Sequence, residues 1–412
     1  MTRVRRLPLV LFAALAVGAA LSRGEPAADA PRFRVATTAG PVSGTLRSLV
    51  GDGTLEIDAE KRATLDPASW YALRRVGEAA PPLPAGPHLV STAGDVVPVT
   101  RPRLDGDRLA FEHPDLDGGK ATGLNLAAVS LLWWTALAQG EPDVLRRRLL
   151  REERKDDFVL LRNGDRVAGV PTGLDAGRVT LQADGGGSRP VDLKQVACLV
   201  LSSTLAEAIR PAGRHYQVAF RNRDGGSATR LVMATLTSDG QTLGGKAAFG
   251  ATLRVPLDRV LAIDVVGGPA DALTDHKPTD VKQTPFLDLR WPVGFDATAT
   301  DHDLRLASGT VARGLATHAG TAVTYRLDGK YRRFDATVGL DPRLGREGGV
   351  RVEVMRDGKP TPLDGADLVG AEAALPVSID VSGVKELTLA VHPGRRGAVQ
   401  GHVTWAEPRL MK

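Results

Sequence analysis

The sequence predicts a mainly β protein: tandem small antiparallel β-barrel-like repeats followed by a C-terminal β-sandwich. Three observations lead there. Short runs alternate apolar and polar residues and break at Gly, Asn and Asp, the pattern of half-buried strands joined by hairpin turns. One nine-residue template recurs four times before residue 268, which marks a repeat architecture. From Phe286 onward the template stops, while alternating strands continue for about 127 residues, the length of one sandwich.

At the N-terminus, Arg3, Arg5 and Arg6 precede an apolar run from Leu7 to Leu21 that ends among the small residues Gly18, Ala19 and Ala20. This is the order of a secretory signal peptide. The run is too short for the roughly 20 residues a membrane-spanning helix needs. Residues 1–24 are therefore expected to be a cleaved signal peptide. The mature protein is expected to be exported, periplasmic or extracellular, with no membrane attachment after cleavage. No cysteine lies near the cleavage region to carry a lipid.

Removing residues up to about Ala20 takes Arg3, Arg5 and Arg6 from the net charge of +5 and leaves +2. The one dense basic cluster, Arg146, Arg147, Arg148, Arg151 and Arg154, is interleaved with Glu152, Glu153, Asp156 and Asp157. Such mixing reads as a solvated helix face, and no nucleic-acid partner is expected. The single cysteine, Cys198, excludes intramolecular disulfides, and its place in the apolar run Val196 to Leu201 makes it a buried, inert thiol.

The repeat template is an apolar residue, a spacer, Leu, two spacers, a small apolar residue, two spacers and a large apolar residue. VDLKQVACL (Val191 to Leu199) and VPLDRVLAI (Val255 to Ile263) are its clearest copies. LNLAAVSLL (Leu124 to Leu132) fits, and ATLDPASWY (Ala63 to Tyr71) fits more loosely. Their anchors Leu65, Leu126, Leu193 and Leu257 are 61, 67 and 64 residues apart. The units are placed at 31–80, 86–138, 157–204 and 214–267. They are similar to Sm-like or SH3-like barrels, in which a short helical turn precedes the last strand; fusion of pairs into larger sandwiches is the alternative. Between the second and third units, residues 141–156 read as a connecting helix, capped by Asp143, with Leu145, Leu149 and Leu150 as its apolar stripe. Residues 268–284, rich in Pro and Gly and poor in apolar side chains, read as an interdomain linker.

The remaining segment, 285–412, carries a resemblance. GLATHA (Gly314 to Ala319), YRLDGKYRRFDATVGLD (Tyr325 to Asp341) and VRVEVMRDGK (Val350 to Lys359) follow one another, and IDVSGVKELTLAV (Ile379 to Val391) and HVTWAEPRL (His402 to Leu410) close the series. In order and spacing this resembles the NPCBM family, a carbohydrate-binding module first noted beside family 98 glycoside hydrolases. The resemblance implies a galactose-binding-like jelly-roll β-sandwich with a carbohydrate, a polysaccharide or glycoconjugate, as partner. Members commonly carry an Asp-His pair before the tryptophan and a second acid just ahead of it; here those positions are Gly401-His402 and Thr404.

Strand alternation sets Val403 and Trp405 on one face and His402, Thr404 and Ala406 on the other, which favours a core role for Trp405 over a stacking platform. The candidate carbohydrate-binding residues are Trp291, His318, Asp341, Arg343 and His402. A sugar offers an apolar ring face and paired hydroxyls; an aromatic ring covers the first, and imidazoles or an acid–arginine pair at a loop take the second. Asp301-His302-Asp303 resembles a metal cluster but supplies too few oxygens for a hard cation, so no metal and no cofactor are expected. No nucleophile elbow, zincin motif, phosphate loop or dinucleotide fingerprint occurs in the sequence. The expectation is an exported non-catalytic protein that binds glycans through its C-terminal module, the repeats serving as scaffold and docking site for envelope proteins. The alternative is an envelope structural or protein-interaction protein without sugar binding.

Overall fold

A computed structural model describes residues 30–78, 82–137, 139–183, 185–284 and 290–412. The expected signal peptide, 1–24, and the module's expected first residue, Pro285, lie outside them.

Each repeat begins and ends with strands that pair antiparallel. These are Arg32–Thr37 with Trp70–Arg75, His88–Ser91 with Val129–Trp133, Phe158–Leu161 with Val196–Val200, and His215–Arg221 with Val260–Val266. Three of the last strands are entered from a one-turn 3-10 helix, Leu126–Ala128, Leu193–Gln195 and Leu257–Arg259. The Asn125 and Asp192 side chains accept from the backbone N–H of Ala127 and Lys194 and so cap two of them. In the first unit Asp66 makes a comparable turn by accepting from Ala68 N. The recurring template is this device, a single turn that sets a Leu against the core and releases the closing strand.

The units keep separate strand sets but join edge to edge. The closing strands of the second and third pair with each other, Leu132 opposite Leu199 and Trp133 opposite Cys198; those of the first and fourth pair likewise, Ile263 opposite Leu73. Two further bridges, Arg230 to Val96 and Ser238 to Leu49, complete a 16-stranded sheet. Joining gives every exposed closing-strand edge a backbone partner and removes a template for aggregation.

The only α-helix among the described residues, α1, spans Pro142–Arg151 and is shorter than expected. It stops because Arg154 turns back into the sheet, where its Nε donates to Leu201 O and its backbone N to Ser203 Oγ. Pro142 starts the helix, and Asp143, the expected cap, lies in the first turn and pairs with Arg146 instead. Leu145 and Leu149 pack on the joined sheet, whereas Leu150 is exposed.

The C-terminal region is a sandwich of two six-stranded sheets. One contains Gly314–His318, His402–Met411, Arg333–Leu340 and Ala374–Asp380; the other contains Thr321–Arg326, Glu386–Pro393 and Gly349–Arg356. Tyr325, Phe334, Val338, Leu389 and Trp405 fill the space between them. The expected linker belongs to this sandwich. Ala270–Ala272 pairs with Arg409–Met411, Leu273 enters the core, and Asp280–Gln283 pairs with Thr321–Thr324. Its polar composition misled because an edge strand needs backbone pairing and only an occasional apolar anchor.

Candidate functional site

The outer face of the sheet containing Gly314–His318 and His402–Met411 carries a cavity of about 150 Å³. Its floor is Ala316, His318, His402 and Thr404, side chains that the period of two brings to one face. Its walls are formed by Trp291 and Pro292, by Thr298, Ala299 and Thr300, and by Asp341 and Leu344.

His318 and His402 stand directly opposite each other on paired strands, with ring centroids 4.7 Å apart and planes at 73°. Trp291 stacks on His318 at 5.6 Å and meets the edge of His402 at 4.8 Å, making a three-ring aromatic corner. Gln283 holds this tryptophan by donating to its backbone carbonyl. The Nδ1 of His318 lies 3.1 Å from Ala319 O, which places the proton on Nδ1 and leaves Nε2 as an acceptor. Burial pushes His402 down to about 4, with His318 adding to the shift and Asp341 opposing it. Burial also lowers His318. Both rings are neutral at pH 7, so each can donate at one nitrogen and accept at the other.

Asp341 is 2% exposed. Its carboxylate accepts from the backbone N of Arg343 at 2.9 Å and from the guanidinium at 2.9 and 3.2 Å. Arg343 stands behind Asp341 rather than in the cavity and also donates to Asp303 O. Four of the five candidate residues, Trp291, His318, Asp341 and His402, thus line one cavity, and the fifth holds one of the four.

Trp405 lies wholly in the sandwich core. The Asp301-His302-Asp303 run is already engaged: Asp301 pairs with Arg151 at 2.6 Å, Asp303 with Arg147, and His302 Nε2 lies 3.3 Å from Glu141 Oε1. The arginine cluster of α1 is therefore not a freely solvated face. The lining residues Thr298, Thr300 and Leu344 went unforeseen in the sequence, where the only cue is an alternation of small and hydroxyl side chains from Ala297 to Thr300. At Gly401, where NPCBM members commonly carry Asp, a Cβ would lie 2.6 Å from the Ala319 side chain, so the backbone here has closed around glycine.

The C-terminal β-sandwich thus carries an aromatic-walled cavity on one sheet face. Residues 271–411 match the family model of the NPCBM/NEW2 domain, and this C-terminal third is an NPCBM domain. No curated protein matches the chain. Among solved structures, it is similar to the second CBM51 and INT domains of Clostridium perfringens ZmpB in complex with GlcNAc. That likeness has 19% identity and TM-score 0.32, covering 44% of this chain and 37% of that one. The CBM51 of Clostridium perfringens GH95 in complex with methyl-galactose is 20% identical, with TM-score 0.30, covering 34% of this chain and 99% of that one. The tandem CBM51 modules of Sp3GH98, a family 98 glycoside hydrolase from Streptococcus pneumoniae, are 14% identical, with TM-score 0.30 and coverage of 68% and 96%.

Proposed function

We propose that this protein is exported and binds glycans without cleaving them, taking a sugar ring in the corner formed by Trp291, His318 and His402. The observation that carries the reading is that corner's position inside an NPCBM domain, a carbohydrate-binding module. The indole covers the apolar ring face; the neutral imidazoles, with Thr298 and Thr300, take hydroxyls on either side. Export is supported by the arginines and apolar run before Ala20. A non-catalytic role is supported by the cavity lining, which holds one carboxylate, Asp341, already engaged by Arg343; glycoside hydrolysis needs two placed on either side of the bond.

With few hydroxyls caught, affinity is expected near a dissociation constant of about 1 mM, or about −4 kcal/mol. Titrating the full chain with galactose- and N-acetylglucosamine-type saccharides by NMR tests this. Shifts at Trp291, His318 and His402 that vanish in Trp291→Ala support it. Absence of shifts at millimolar sugar would transfer the function to protein interaction by the repeats.

A further inference from the structure

The cavity wall formed by Thr298, Ala299 and Thr300 belongs to a single turn whose next residues reach outside the NPCBM domain. Within the turn, Thr298 N donates to His302 O, Asp301 N to Thr298 O, and Thr300 Oγ1 meets His302 Nδ1 at 2.9 Å. Asp301 holds φ of +66°, a left-handed conformation that a non-glycine residue keeps only when its surroundings enforce it. Its side chain is 7% exposed. A carboxylate so placed requires partners.

Those partners come from α1, about 150 residues earlier in the chain. Arg151 donates to the Asp301 carboxylate at 2.6 and 2.8 Å; Arg147 donates to the Asp301 carbonyl at 2.6 Å and pairs with Asp303. Asp303 O also accepts from Arg343, which grips Asp341 in the cavity wall. Two parts of the cavity, the threonine wall and the acid wall, are thereby tied to a helix that packs by Leu145 and Leu149 on the repeats.

We infer that Arg147 and Arg151 are positioning residues for the glycan site, which the repeat region completes by clamping the Thr298–Asp303 turn. This rests on the sugar-binding reading of the cavity, but the clamp itself is physically separate from it. Without both arginines the Asp301 carboxylate must hydrate, the left-handed turn relaxes outward, and the threonine wall leaves the ring. A ligand then bears the cost of ordering the wall. Arg147→Ala/Arg151→Ala should weaken sugar binding about tenfold, equivalent to about 1.4 kcal/mol.

The test uses the full chain, the double variant, and Arg151→Ala alone, in which Arg147 still holds the Asp301 carbonyl and Asp303. Hydrogen exchange is followed at the backbone of residues 296–304, and methyl-galactoside and N-acetylglucosamine are titrated in parallel. Faster exchange confined to the turn and weaker sugar binding establish the clamp; Arg147→Lys/Arg151→Lys should recover part of the affinity by restoring the charge. Unchanged exchange at Thr298–Asp303 in the double variant overturns it. Should the parent bind neither sugar, the glycan reading fails while the exchange measurement still decides the clamp. If the double variant does not fold, Arg151→Ala decides by the same two readouts.

Discussion

The two strand joins in the repeat region use one backbone device and two opposite covers. Where the second and third units meet, the outer face carries Leu131, Trp133, Cys198 and Val200, and Leu145 and Leu149 of α1 lie across it. Where the first and fourth meet, the paired strands present Arg74 and Asp264, covered by Arg409 of the NPCBM domain. Asp264 accepts from Arg74 at 2.7 Å and from Arg409 at 2.8 Å, and Arg409 also holds Glu407 at 2.9 Å. The pairing geometry sets which edges meet; the side chains at the join set what docks above it. An apolar join takes a local helix, and an ionic join takes the distant module.

The apolar cover should give the largest effect when broken. Trp133 is 1% exposed, stacks on His88 at 6.0 Å and lies under the Arg146 guanidinium. Trp133→Ala removes the largest side chain of that cluster and should cost about 3–5 kcal/mol, read as a lower denaturation midpoint with an unchanged slope. If the loss is under about 1 kcal/mol, α1 does not seal the join.

Breaking the ionic cover comes next. In Asp264→Asn, Arg74 and Arg409 keep only Glu407 as counter-charge, at 3.5 and 2.9 Å, and Arg409 is 6% exposed. Removing one partner of a buried network costs about 3 kcal/mol, here moderated by the half-open position of Arg74. The distinguishing signature is salt. Raised ionic strength should weaken the parent's ionic join only on its partly exposed Arg74 side, since buried pairs are screened much less, while leaving the consequences of Trp133→Ala untouched.

Acid separates the joins a third way. Burial pushes His88 down to about 4, Arg146 adds to the shift, and a hydrogen bond to Gly86 O opposes it. Its Nδ1 faces Gly86 O and its Nε2 faces the Arg146 Nη1 at 2.7 Å, so the neutral ring fits and the imidazolium does not. The folded value lies below the unfolded one near 6.5, so the unfolded state binds the extra proton. Stability is full above about pH 6.5 and falls as pH drops toward 4, by on the order of 2 kcal/mol from this histidine. Asp264 behaves differently: burial works to raise it, but Arg74 and Arg409 outweigh burial and hold it low. Its contribution persists until pH falls below the ordinary carboxylate range. Melting temperatures of the parent and His88→Gln between pH 7 and 4.5 should therefore converge; parallel curves would remove His88 as the acid-sensitive group.

These contrasts show which parts of the molecule the sequence carries in plain form. A period of two assigns faces, so His402 and Thr404 could be set opposite Val403 and Trp405, and the template Leu residues mark the single turns before the closing strands. Local pattern does not say what an edge or a charged face meets. The interleaved charges of α1 look solvated until Asp301 and Asp303 are brought to them, and residues 268–284 look like a linker until their backbone is paired. Thr298 and Thr300 escaped notice for the same reason: a turn becomes a wall only through the residues that grip it.

The smallest stability effect is expected at the cavity, and it sharpens the comparison by separating binding from folding. Trp291 is partly exposed, its strongest protein contacts are with two rings that are themselves half-buried, and Gln283 bonds to its backbone rather than its side chain. Trp291→Ala therefore leaves the sandwich core intact and should shift stability by less than about 1 kcal/mol, in contrast to the join variants. It removes the apolar platform for a sugar ring, however, and a ligand held at about −4 kcal/mol loses detectable binding when roughly 1.5 kcal/mol or more is withdrawn. His402→Ala is the companion measurement, since it removes the second ring of the corner and its hydrogen-bonding nitrogens. Because burial pushes His402 down to about 4 and also lowers His318, sugar binding by the parent should be flat through pH 7 and decline only below the ordinary histidine range, as the rings charge. Binding that instead titrates near pH 6.5 would mean that an unburied histidine, outside the three-ring corner, takes the ligand.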